Sequence, residues 1–111
     1  MIHLIRKKAT PQQIAGMLED QIMFIKVVVD IRRGILAGGG RLHIDAEQIL
    51  LADGSQQQDI WGASWTPDLQ AIDFESMINI RPRQNNHAML ITDAVICERI
   101  TAVVQNLLGE V

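Results

Sequence analysis

Gly38-Gly39-Gly40-Arg41-Leu42-His43-Ile44-Asp45-Ala46-Glu47 is the segment on which the architecture turns. Three successive glycines permit positive φ and close approach of another group, which suits a tight bend or bulge. Behind them the residues alternate, with Leu42, Ile44 and Ala46 on one parity and His43, Asp45 and Glu47 on the other. As a strand, the period of two turns an imidazole and two carboxylates to one face over an apolar face. As a helix from about Leu42, His43 and Glu47 become i, i+4 neighbours and Asp45 points away. The strict alternation favours the strand.

Downstream, Gln48-Ile49-Leu50-Leu51-Ala52 runs into Asp53-Gly54, a hairpin signal between apolar segments. The returning partner strand is Asp59 to Trp65, with Trp61 and Trp65 on one face and Gly62 marking a bulge. After a turn at Thr66-Pro67-Asp68, Ile72 to Ile80 alternates again. Ile72, Phe74, Ile78 and Ile80 share a face there, with Asp73, Glu75, Met77 and Asn79 opposite. Arg81 to His87 is a polar loop, and Ala88 to Ile91 is expected to form a last short strand. Thr92-Asp93 caps a C-terminal helix whose stripe is Ile96, Ile100, Val103, Val104 and Leu107, ended by Gly109.

Upstream, Met23 to Ile31 fits either period, but the β-branched run Val27-Val28-Val29 favours a strand turned by Arg32-Arg33-Gly34. Thr10-Pro11-Gln12-Gln13 is a capping box with proline at the first helical position. It opens a helix carrying Ile14, Met17, Leu18 and Ile22 inward and stopping near Asp20 or Gln21, and residues 2–5 form a short strand before it. The expected fold is α+β, with an antiparallel, largely meandering sheet of five or six strands. The N-terminal and C-terminal helices pack on one face of it.

At 111 residues the chain is expected to be one domain, residues 1–111, with a single core. Aromatic residues are only 4% of it, so Ile, Leu, Val and Met must fill that core. A net charge of −3 gives no global attraction to nucleic acid or anionic lipid. Cys97 is the single cysteine, which excludes an internal disulfide and points to a reducing compartment. No apolar run nears the roughly 20 residues of a membrane span. Arg6-Lys7-Lys8 follows the first apolar residues, the reverse of a signal peptide, so a cytoplasmic protein is expected.

Several strings carry a family resemblance: Val29-Asp30-Ile31-Arg32-Arg33-Gly34-Ile35-Leu36-Ala37-Gly38-Gly39-Gly40, Leu42-His43 with Asp45 and Glu47, Asp53-Gly54-Ser55, Trp61-Gly62, and Ile78-Asn79-Ile80-Arg81-Pro82. Across nearly the whole chain the sequence resembles an uncharacterised bacterial family of about this length, domain of unknown function 5674. The resemblance implies a complete small protein. It implies no activity and transfers no catalytic residue.

Two groups of residues carry candidate chemistry. His43, Asp45 and Glu47 offer one nitrogen and two oxygen ligands, a set suited to a divalent transition metal or to acid–base catalysis of a hydrolytic kind. Further ligands would come from His3 or His87. Arg81, Arg83, Gln84, Asn85, Asn86 and His87 gather guanidinium, amide and imidazole donors for a small anionic ligand. If Arg81 serves only such a ligand, its removal leaves the unliganded melting point unchanged. Cys97, beside an apolar stripe, reads as an inert thiol, and Ser55 and Ser64 lack a nucleophile turn. A non-enzymatic binding or assembly module fits best, paired as a homodimer through a sheet edge or the tryptophan strand. The metal-dependent or acid–base enzyme is the alternative.

Overall fold

The computed structural model describes residues 1–110. Five strands form one antiparallel sheet: β1 (His3–Ile5), β2 (Ile25–Asp30), β3 (Ile35–Gly38), β4 (Ile60–Thr66) and β5 (Ala71–Asp73). Their spatial order is β1-β3-β2-β4-β5. β2–β3 and β4–β5 are hairpins, whereas β3 reaches β4 by crossing over β2. Three helices complete the α+β architecture: α1 (Pro11–Met17), α2 (His43–Ala52) and α3 (Ala94–Leu108).

The alternation in β2 divides the core. Ile25, Val27 and Val29 face α1 and α3, and join Leu36, Trp61, Trp65, Ile14, Met17, Ile100, Val104 and Leu107. Val28 faces the opposite side and packs with Ala37, Ile60, Ala46 and Leu50 beneath α2. The two terminal helices therefore share one face as the sequence indicates. Thr10 caps α1 through the expected box, and Asp93 caps α3 by accepting from the Val95 and Ile96 amides. α1 stops at Met17, short of Asp20, and residues 18–21 form turns.

Five local expectations are corrected. Leu42–Glu47 is not a strand, because α2 begins at His43 and runs through the apolar residues up to Ala52. Asp53-Gly54 is accordingly no hairpin turn; it ends α2, with both amides bonding back to carbonyls of Ile49, Leu50 and Leu51. The partner of β4 is β2, in unbroken register from Ile25↔Trp65 to Asp30↔Ile60, so Gly62 marks no bulge. Glycine is required at that position by a close approach, since a Cβ would lie 2.6 Å from Cβ of Ser76. Ile72–Ile80 is a strand only as far as Asp73, after which Met77–Asn79 and Pro82–Gln84 form single 3-10 turns. Residues 88–91 contribute one isolated bridge, Glu75↔Leu90, and no strand.

Candidate functional site

The coil from Phe74 to Thr92 lies along the part of β4 that β5 does not reach. Side chains there do the work of a neighbouring strand. The amide of Asn79 accepts from the Gly62 N–H at 2.8 Å and donates to the Gly62 carbonyl at 2.9 Å. The next β4 carbonyl on that edge, Ile60, accepts from Arg81 Nη2 at 2.5 Å. Arg81 also donates to the carbonyls of Ile78 at 3.0 Å and Gln57 at 2.7 Å, and it stacks on the Trp61 ring at 4.6 Å. Burial lowers the pKa of this guanidinium, while the Glu47 carboxylate 3.8 Å away opposes the shift. Asn86 holds the rest of the coil, donating to the carbonyls of Asn79, Ala88 and Leu90 and accepting from the Thr92 amide.

A second polar cluster joins two of the sequence strings quoted above. Buried Asp30 accepts from the Arg32 and Arg33 amides at 2.9 Å and from the Ser55 hydroxyl at 2.7 Å. Arg33 donates to Ser55 Oγ and pairs with Asp53 at 2.7 Å, and Arg6 pairs with the same carboxylate. These two arginines, Arg33 foremost, hold the Asp53 carboxyl below its ordinary range. The cluster docks the β2–β3 turn onto the end of α2.

The cleft with unspent chemistry lies at the other end of α2. It encloses about 470 Å³ between the first turn of the helix (Leu42, His43, Ile44) and Glu75–Ile78 with Met89. Lys26, on the α2 side of β2, completes its lining. Leu42, Ile44, Met77 and Met89 are 56%, 50%, 74% and 42% exposed, so the walls are apolar and open to solvent. His43 Nε2 lies 2.7 Å from the Ala63 carbonyl, an acceptor, and therefore carries the ring proton. Nδ1 keeps its lone pair, has no partner among the described residues and remains accessible. Burial lowers the His43 pKa, the Ala63 bond opposes this, and the Lys26 charge adds to it. The ring is therefore held neutral near pH 7.

The residues singled out by sequence separate into these environments. His43 lines the cleft, Asp45 is exposed, and Glu47 is buried, accepting from Gln57 at 2.9 Å. No three His, Cys, Asp or Glu side chains among the described residues converge as a metal site. Arg81 and Asn86 are buried, with their donors directed to their own chain. Arg83 is exposed, Gln84 donates to the Gln58 carbonyl, and His87 reaches Asn85 at 3.3 Å. Trp61 and Trp65 are 1% exposed in the core, which removes them from any surface for self-association. Sequence reasoning missed Lys26, Met77 and Met89. Met77 on the polar parity of Ile72–Ile80 was the one available signal.

Fold and site together define a small antiparallel α+β protein with an open apolar cleft and two internal polar clamps. The chain belongs to the family described as protein of unknown function (DUF5674), whose model matches residues 3–107. No curated protein and no solved structure matches it. Among the described residues no helix is long and apolar enough to cross a membrane.

Proposed function

We propose that this protein is a non-catalytic recognition module that seats an apolar group in the cleft beside His43. The observation that carries this reading is the cleft itself. Its volume of about 470 Å³ and exposed aliphatic and thioether walls surround a neutral imidazole with a free lone pair. Ligand sites have this composition, mostly apolar with a few directed polar groups, and flexible methionines adapt to the shape presented. An anion site on the 81–87 loop is the weaker reading, because the Arg81 donors are already bonded within the chain. The enzyme reading lacks a catalytic set: His43, Asp45 and Glu47 face three different surroundings. The single thiol, Cys97, raised in pKa by burial and then by Asp93, supports a reducing compartment such as the cytoplasm.

The test is a titration of methyl-labelled methionine protein with 1-hexanol as an apolar probe, at micromolar protein. Saturable shifts of Met77 and Met89 and of the His43 ring are expected, with Met17 unmoved in the core. Ile78→Trp, which fills the cleft, should abolish them. Equal small drifts of all five methionines would overturn the proposal.

A further inference from the structure

We infer that the occupant of this cleft is a second copy of the same chain, bound about a twofold axis. The inference rests on reading the cleft as a recognition site and adds the identity of what enters it. Two observations select the second copy. The first is shape: Met77, the most exposed of the hydrophobic lining residues at 74%, borders the cleft. A hydrophobic knob adjoining a hydrophobic hole matches its own twofold mate, since a twofold contact pairs residue i with j and j with i. The second is charge. Lys26 and Glu75 stand on the same lining with opposite signs, and neither has an ion-pair partner among the described residues. A twofold whose axis passes between these two residues places Lys26 of each copy against Glu75 of the other. The ammonium and carboxylate left single in one chain are thus paired twice in the dimer.

A small apolar ligand accounts for less of this surface. It would fill the cleft and leave Met77 largely in water, together with Leu90, which is 47% exposed. Leu90 is bridged to Glu75 and so continues the apolar surface from the charged rim. Exposed apolar surface of this continuity marks contact with another macromolecule, and surfaces of homodimers are the more apolar kind.

The experiment is light scattering coupled to size exclusion from micromolar to several hundred micromolar protein. Wild type is expected to pass from monomer to dimer within that range. Lys26→Glu and Glu75→Lys should each raise the dissociation constant at least tenfold, by setting like charges together at both contacts. An equimolar mixture of the two variants should recover the wild-type value, because each reversed charge then meets the other across the interface. Met77→Asp should leave a folded monomer, with circular dichroism confirming the fold of every variant. A wild type that stays monomeric, or a mixture no stronger than its components, overturns the inference. Hexanol binding by such a monomer would preserve the recognition reading, whereas a dimer untouched by these substitutions and a cleft that ignores hexanol would overturn both.

Discussion

His43 is half-buried and Arg81 buried, with opposite consequences for their charge. His43 is held neutral by burial, although its bond to the Ala63 carbonyl favours the charged form and Lys26 disfavours it. The folded pKa therefore lies below the ordinary value of 6.5. The unfolded chain takes up its proton first as pH falls, so the stability due to His43 is complete above about 6.5 and is lost through the lower folded pKa. Urea midpoints should thus decline below pH 6.5 in wild type, and His43→Gln should remove that part of the decline. Arg81 is charged, buried and bonded to four acceptors, three of them carbonyls. Arg81→Ala leaves these acceptors without their donor and the buried Glu47 carboxylate without its neighbouring positive charge. A loss of about 3 kcal/mol in chemical denaturation is expected, against within about 0.5 kcal/mol for exposed Arg83→Ala. This reverses the sequence-based expectation that Arg81 could be removed without effect on the unliganded protein.

At the level of elements, the unusual feature is an edge of β4 satisfied by side chains. An unpaired strand edge is a template for aggregation, and natural sheets cover it. Here Asn79 offers one donor and one acceptor at the spacing of a backbone, and Gly62 lets Ser76 approach closely enough to hold it there. Asn79→Ala uncovers the N–H and carbonyl of Gly62 inside the protein, so a loss of about 2–4 kcal/mol is expected from the two groups together. Asn79→Asp should recover only the acceptor half. Hydrogen exchange at the Gly62 amide would check both, since its protection depends on Asn79 and not on the β2 ladder.

For the whole molecule, one sheet separates two apolar layers, and α2 links strands on either side of β2 while running over it. The layer under α1 and α3 is closed by Ile100, Val104 and Leu107. The layer under α2 ends at the cleft, which lies between the first turn of the helix and the Ser76–Ile78 turn. The twofold pairing proposed for that opening would couple stability to concentration, because association acts on the folded state by mass action. The thermal midpoint should rise as wild-type protein is concentrated and stay constant for Met77→Asp.

The strands β2 and β4 and helices α1 and α3 were legible because each buries a regular apolar period, with a capping box or capping aspartate marking the helix starts. α2 was not. Its Ile44 points to solvent while Glu47 is buried, so its sequence alternates as a strand does. What makes it a helix is the crossover from β3 to β4, which demands a segment laid over Val28 and Ala37. Arg81 and Asn86 were visible as specific hydrogen-bonding groups, whereas Asn79 read only as the polar face of a strand; the partners of Asn79 and Arg81 are backbone atoms distant in sequence, such as Gly62 and Ile60. The cleft as a whole was not legible, because Lys26, His43 and Met77 come from three separate elements and only the packing brings them together. Local periodicity determined which segments bury one face, whereas only tertiary packing decided where two such segments fail to close and leave a surface to be covered.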